Sequence, residues 1–442
     1  MLFLNHSFYT RGDALRACPW LSYFAPSALG RCDPSARGSD LAERLDEMKV
    51  GVFLEDFSPE VGGGFTIQDD LFRALIELLD DTHHSFVIFC RRAEGVSKLS
   101  NHPRLSAVDF PGSLKQRLFA RAGRGLNSLL EKRQRQSRLE QLCKESDVEF
   151  MWFVGAEAVQ LDLPYMAIVW DLQHRLQPWF PEVSSAGTWK HRENFYSEFL
   201  RRATMIIAGT DSGREEIERF YQVTSNRIKI LPHPTPAFAL NAAPGNPENL
   251  LKKYELRKNY LLYPAQFWSH KNHVNLLLAA AELKSKYDID LPVVFVGSDK
   301  GNADYVRSFA AQLKPKVDVS FLGFVPVEDL VALYRGAFAL AYVTFFGPEN
   351  LPTLEAFALG CPVVASDVAG AREQLGDAAL LVDPKDPSSI ANAIKQLHDN
   401  ADLRQTLIDK GRARAERSTA KTFVRGVFNA LDEFEPIRRC WK

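Results

Sequence analysis

The sequence predicts an α/β protein of two doubly wound, Rossmann-like domains facing a cleft, and three observations carry that expectation. From Met48 onward, short apolar runs alternate with amphipathic stretches, the pattern of a parallel sheet covered on both faces. The stretch "PHPTPAFALNAAPGNPENL", Pro232 to Leu250, breaks the alternation with five prolines and little periodicity, which suits a linker. A second alternating series then follows. A chain of 442 residues, 46% hydrophobic and 25% charged, has the ordinary globular composition and the length for two such domains.

Residues 1–47 stand apart. "SALGRCDPSARGSDLAERLDE" is rich in turn formers and charge, and the opening "MLFLNHSFYTRGD" lacks the basic start and long apolar centre of a signal peptide. They read as a loosely ordered extension, or as an upstream addition to a chain that functionally starts at Met48. The first domain, 48–240, is expected to hold strands at Val50–Leu54, Phe86–Phe89, Leu105–Val108, Phe150–Val154, Ala167–Trp170, Met205–Ala208 and Ile228–Leu231. The second, 250–415, is expected to hold Tyr260–Tyr263, Val293–Gly297, Val319–Leu322, Phe338–Tyr342, Val363–Ala365 and Leu380–Val382. Two doubly wound domains use every one of these segments.

A formal net charge of −1 gives no reason to expect a nucleic-acid partner, and no basic recognition motif argues otherwise. Six cysteines are scattered without a C-x-x-C pair, so reduced thiols in a cytoplasmic protein are expected. No apolar stretch is long enough to span a bilayer. Between Lys115 and Lys144, nine Lys/Arg outnumber two acids and alternate with Leu118, Phe119, Leu126, Leu129 and Leu130. Such a basic amphipathic helix can lie on the inner face of a membrane; a solvated helix face accounts for it equally well.

The chemistry concentrates in a few loops. In "FGPENLPTLEAFALGCPVVAS", Pro352 suits a first helical position and Gly360 a C-terminus, giving a helix of about two turns just before a buried strand. The first backbone N–H groups of this helix, which starts at Asn350, Leu351 and Pro352, lack intrahelical partners and could hold a phosphate, with Glu355 one turn in to bond a sugar hydroxyl. Gly62, Gly63 and Gly64 follow the first strand, where missing side chains let the backbone approach a phosphate or sugar; alone, a triple glycine is more often a flexible turn. In "NYLLYPAQFWSHKNHVNLLL", Lys271 stands at a helix start, where it can neutralise a diphosphate or merely face solvent. In "YMAIVWDLQHRLQPWFPE", His174 follows a strand's carboxyl end and could exchange a proton, or serve structure alone. His270 and His273 lack further metal ligands, and the Asp-x-Asp of Asp288 and Asp290 enters a strand from its amino end; no metal is expected.

These residues resemble a known family. The Lys271-Asn272 loop, "VFVGS", "VSFLGFVPVEDLVALYRGAFALAYVT", "LPTLEAFALGCPVVASDVAG" and "GDAALLVDPKDPSSIANAI" are similar, in order, to glycosyltransferase family 4, the glycosyl transferases group 1 domain of GT-B fold. The glycine loop and "TDSGREEIERFY" fit more loosely. The resemblance implies a retaining, metal-independent transferase with no bound cofactor. Its donor, a UDP- or GDP-linked sugar, would sit mainly on the second domain and its acceptor, a glycan or lipid-linked saccharide, mainly on the first. Residues 416–442 would then cross back to the first domain, and Glu355 would hold the donor ribose. The family's Glu-x7-Glu places its first acid at 347, which here is Gly347, with Glu349 two residues later as the substitute. Gln266 stands where a second diphosphate cation is expected, and Trp170-Asp171 replaces the family's His-Asp, with His174 nearby.

On this reading Lys271, the helix start and the turn at Gly370 stabilise the leaving diphosphate, His174 orients the sugar and Glu349 reads hydroxyls. The departing phosphate would deprotonate the acceptor on the same face. A non-catalytic GT-B protein binding a nucleotide sugar or a partner enzyme is the alternative, favoured by Gly347 and Gln266. A dehydrogenase would need a dinucleotide glycine fingerprint, which the sequence lacks.

Overall fold

The computed structural model describes residues 47–55, 63–90, 101–110, 126–155, 158–243 and 247–441. The extension up to residue 46, and residues 115–125 of the basic segment, lie outside them. Asp46–Lys442 forms one unit built on two parallel sheets.

The first sheet has the order β3-β2-β1-β4-β5-β6-β7, with β1 Lys49–Phe53, β2 Ser85–Cys90, β3 Leu105–Asp109, β4 Phe150–Phe153, β5 Tyr165–Val169, β6 Met205–Ala208 and β7 Ile228–Ile230. Val50 pairs with Phe86 on one side and Phe150 on the other. Successive side chains alternate between two cores, as a period of two requires. Val50, Val52, Phe86, Ile88 and Trp152 belong to one; Phe53, Val87, Phe89, Met151 and Phe153 belong to the other. Gly51 is needed between them, because a Cβ there would lie 2.7 Å from the Met151 methyl and 2.9 Å from the Phe89 ring.

The first-domain helices are α1 Gly63–Glu77, α2 Leu126–Glu145, α3 Gln173–Leu176, α4 Pro181–Ser184, α5 Thr188–Arg202 and α6 Asp211–Tyr221. The end of the basic segment is thus helical, and its Leu139, Leu142 and Cys143 are buried in the second of the two cores. The proline-rich stretch is more ordered than a simple linker. It holds α7 Ala237–Leu240 and the start of α8 Pro247–Lys253, and Asp70 of α1 accepts a 2.8 Å hydrogen bond from the Ala237 N–H. Pro236 and Pro247 serve as helix-start residues, the use that sequence spacing alone does not reveal.

The second sheet has the order β10-β9-β8-β11-β12-β13, with β8 Leu261–Pro264, β9 Val293–Val296, β10 Val319–Phe321, β11 Ala339–Tyr342, β12 Val363–Ser366 and β13 Ala379–Val382. All thirteen predicted strands exist, β5 beginning two residues earlier than expected because Tyr165 pairs with Met151. Helices α9 His273–Tyr287, α10 Ala303–Gln312, α11 Val327–Gly336, α12 Leu351–Leu359, α13 Ala371–Leu375, α14 Pro387–Asp399 and α15 Ala401–Arg417 follow. The last helix, α16 Ala420–Arg438, packs on the first domain: the Phe428 ring lies 5.7 Å from Phe86 and that of Phe434 5.3 Å from Phe150. Its buried Phe423, Val427, Phe428, Leu431 and Phe434, at about 1.5–3 kcal/mol per fully buried side chain, fasten the chain's end there. Each sheet reverses its order at one point, between β1 and β4 and between β8 and β11. The crevice at such a point is where open sheets bind ligands.

Candidate active site

Two loops leave the second sheet at its reversal point. The loop after β8 carries Gln266 and turns through Ser269–Lys271 into α9. Asn272 takes φ +60°, and its side-chain amide donates to the carbonyls of Val343 and Pro384 at 2.7 Å each, tying this loop to the ends of β11 and β13. Lys271 Nζ donates to the Tyr342 hydroxyl at 3.0 Å and lies 5.3 Å from that ring's centroid. Gln266 accepts from the Trp268 indole at 3.0 Å, so its carbonyl end is engaged locally.

The loop after β11 leads to α12, whose Asn350 stands at the N-cap, with Pro352 in the first turn and Gly360 closing the helix at φ +73°. Asn350 donates its side-chain amide to the Gly347 carbonyl at 2.9 Å, and Gln374 accepts from the Asn350 N–H at 2.9 Å. Gly370, at φ +82°, passes so close to the Pro348 carbonyl that a Cβ would overlap it. Opposite, a Cβ on Gly63 would meet Leu351 Cδ1 at 3.0 Å. Gly63 and Gly64, expected between strand and helix, are instead the first residues of α1, and Gly63 rests on the first residue of α12.

Glu355 is 8% exposed and accepts 2.7 Å from the Tyr334 hydroxyl. Burial pushes its carboxyl up to about 7, the Tyr334 hydrogen bond only partly opposing this. Gly347 explains the missing first acid. Its φ of +141° belongs to a region essentially reserved for glycine, and a Cβ would overlap the Asn350 amide. Glu349 reaches across to the first domain instead. It accepts 2.7 Å from the His233 N–H, packs against the backbone of Gly209, and is buried with its pKa raised by desolvation, partly offset by His233. The expected hydroxyl reader is thus spent on a domain contact.

His174 calls for a correction. Its side chain is fully buried, Nε2 lies 3.1 Å from the Tyr221 hydroxyl, and its ring stacks 5.6 Å from Tyr196. Burial pushes it down to about 4, the positive Arg192 adding to this. It is a neutral packing residue between α3, α5 and α6, because α3 turns the side chain inward from the strand end. Asp171 beside it is paired with Arg192 at 2.6 Å.

Sequence reasoning overlooked three carboxylates. Glu373 of α13 accepts from the N–H groups of Asp211 (2.5 Å) and Ser212 (3.0 Å) and from the Ser212 hydroxyl (2.6 Å), capping α6 across the cleft. Glu182 accepts 3.0 Å from the His270 N–H and bonds its ring nitrogen. Glu216 of α6 lines a cavity of about 650 Å³ between the two sheets. The first two carry no local motif, since their partners lie 162 and 88 residues away.

Among the described residues, His83, His84 and Asp432 alone group as metal ligands might. His84 Nδ1 accepts from the Met48 N–H at 3.2 Å, which leaves the ring proton on Nε2, facing Asp432 at 3.1 Å. That arrangement is a hydrogen bond.

Residues 248–414 match the family described as glycosyl transferases group 1. The second domain is thus similar to a glycosyl transferases group 1 domain. The chain is 28% identical over 251 residues to O-antigen chain mannosyltransferase B of Escherichia coli, a match covering 57% of this chain and 66% of that protein. It is 27% identical over 206 residues to O-antigen chain mannosyltransferase RfbU of Salmonella typhimurium, covering 46% and 53%. The matched stretch thus spans between half and two thirds of these curated relatives. Among solved structures, a glycosyltransferase from Rickettsia africae superposes with TM-score 0.64 at 14% identity, covering 88% of this chain and 98% of that one. Anabaena HepE in complex with UDP and glucose gives 0.62 at 18%, covering 87% and 100%. The fold is GT-B. Among the described residues no helix is long and apolar enough to cross a membrane.

Proposed function

We propose that the protein is a retaining, metal-independent glycosyltransferase that moves a sugar from a UDP- or GDP-linked donor to a glycan or lipid-linked acceptor in bacterial surface polysaccharide assembly. The observation that carries this reading is the grouping at the second sheet's reversal point: the Lys271 ammonium after β8, the open start of α12 after β11, and Glu355 one turn inside it. The likeness to O-antigen mannosyltransferases supports the acceptor class.

Bond cleavage leaves extra negative charge on the diphosphate and positive character on the sugar carbon. Lys271 and the start of α12, where the Leu351 N–H remains to donate while Pro352 has none and that of Asn350 is held by Gln374, stabilise that charge, the effect expected to dominate. Glu355 accepts hydrogen bonds from the ribose hydroxyls, and the α1 start at Gly63 and Gly64 and the turn at Gly370 let backbone approach the phosphates. The departing phosphate takes the acceptor proton on the face it leaves. Domain closure through Glu373 and Glu349 excludes water. The test is nucleotide release by purified protein offered UDP- and GDP-sugars singly, with Glu355→Ala as control. Release with one donor, lost in the control, supports the reading.

The non-catalytic alternative draws on Glu349, whose carboxylate is engaged with the His233 backbone, and on Gln266 in place of a cation. Calorimetric binding of UDP or GDP without release from any sugar donor would favour it.

A further inference from the structure

We propose that Tyr342, the last residue of β11, is the positioning residue for Lys271: its hydroxyl and ring hold the ammonium at the second sheet's reversal point and leave its charge for an anion. The assignment rests on the glycosyl-transfer reading, in which that anion is the donor diphosphate, and adds to it the group that aims the cation.

A lysine used in this way needs a holder. Its four-carbon stem is flexible, and a cation that must first be ordered stabilises a leaving group less than one already in place. Here both ends of the residue are fixed by tyrosines from the two strands that flank the reversal point. Tyr263 of β8 donates its hydroxyl to the Lys271 carbonyl. Tyr342 of β11 accepts from Nζ at 3.0 Å, and the ammonium lies 5.3 Å from its ring centroid, within reach of the ring's negative face. The two rings stack on each other, centroids 5.2 Å apart and planes 18° from parallel. Both tyrosines are buried, so neither ring can swing away from the lysine without opening the core. The turn itself is closed by the Lys271 N–H, which donates to the Trp268 carbonyl at 3.1 Å.

The kind of partner matters as much as the contact. A carboxylate would hold the ammonium as firmly but would also neutralise it. Lys284 and Lys286 of α9, the helix that Lys271 leads into, are held in that way, by Asp290 at 3.0 Å and Glu282 at 3.3 Å. Among the described residues Lys271 forms no ion pair; a neutral hydroxyl and a ring face hold it instead. A phenylalanine at 342 would fill the same space in the core, and the hydroxyl is what reaches the lysine.

The test is a double-mutant cycle on the full chain by UDP and GDP calorimetry, alongside competitive acetylation of its lysines with acetic anhydride, read peptide by peptide by mass spectrometry. Tyr342→Phe keeps the ring and its stack on Tyr263, so the fold survives. It should weaken binding of the nucleotide that the parent binds by about fivefold, and weaken it no further in a Lys271→Met background. It should also speed acetylation of Lys271 several-fold and leave that of Lys286 as in the parent. If Lys271→Met abolishes binding outright, the acetylation rates decide. The proposal is overturned if Tyr342→Phe binds nucleotide and acetylates at Lys271 as the parent does, or if it weakens binding equally in both backgrounds, as a merely structural residue would. Faster Lys271 acetylation in a chain that binds neither UDP nor GDP would keep Tyr342 as the holder of that lysine and sink the donor reading.

Discussion

Placing alanine or glutamate at Gly347 tests why this chain lacks the family's first acid. Two costs follow from the structure. At φ +141° any other residue strains the backbone by about 1–3 kcal/mol. A Cβ also overlaps the Asn350 side chain, whose 2.9 Å bond to the Gly347 carbonyl must then break; a net hydrogen bond adds about 1 kcal/mol. Gly347→Ala should therefore destabilise the second domain by about 2–4 kcal/mol, lowering its melting midpoint by roughly 5–10 °C. Asn350 occupies the N-cap position of α12 and its side chain ties that turn to Gly347, so displacing it should also misalign the helix start expected to hold the diphosphate. Nucleotide affinity should fall about tenfold. Gly347→Glu should do no better, because its carboxylate arrives on the same strained backbone. Scanning calorimetry and nucleotide titration decide the matter. An alanine variant melting within a degree of the parent, or a glutamate variant releasing nucleotide faster, would refute the reasoning.

Three further perturbations follow. Glu355→Gln removes a carboxyl that burial holds at about 7. The folded state then binds more protons than the unfolded one between the ordinary glutamate value and 7, so the parent loses stability as pH rises through that window. The variant should gain on the order of 2 kcal/mol at pH 8 and almost nothing at pH 5, while losing nucleotide release; equal melting at both values would contradict the burial assignment. Glu373→Ala uncaps α6 across the cleft, at about 1 kcal/mol or fivefold toward the open form, visible as a larger radius of gyration by X-ray scattering. Burial tends to raise the Glu373 pKa, but the Ser212 and Asp211 hydrogen bonds outweigh it; the contact is complete above the ordinary glutamate range and lost as pH falls through the depressed value. An unchanged radius would mean that other contacts hold the cleft. His174→Gln should cost about 1–2 kcal/mol and flatten the acid limb of stability, since the parent is neutral when folded and loses stability as pH falls from its ordinary value toward 4. Release below the melting range should be unaltered; a loss of release with the fold intact would restore His174 to the cleft.

The fold was legible because strands buried on both faces must be written as short apolar runs. β4 and β12 are buried at every position, and "FMWF" and "VVAS" announce it. Local signals also located α12, through Pro352 and Gly360. What stayed hidden depends on orientation and distance. A strand end followed by a turn puts His174 near the crevice in sequence, yet α3 rotates the ring into Tyr221 and Tyr196. Glu349 reads as a mobile loop acid until His233, 116 residues earlier, is folded against it. Glu216 occupies a helix position that any solvated glutamate could fill; only the facing loop after β11 makes it part of a cavity.

The departures around Gly347 form one connected arrangement. With no side chain at 347, Asn350 folds back over the loop, Gln374 brackets its N–H, and Gly370 closes against Pro348. Gln374 sits one residue after Glu373, so the group bracketing the α12 start and the group capping α6 are neighbours on one short helix. Glu349, inside the same loop, holds the first domain through His233. A shift of the α12 start on binding a diphosphate would therefore pull on two interdomain contacts at once. Glu349 thus stands at the hinge of that coupling, and a side chain placed at 347, by displacing Asn350, should damage closure and nucleotide binding together.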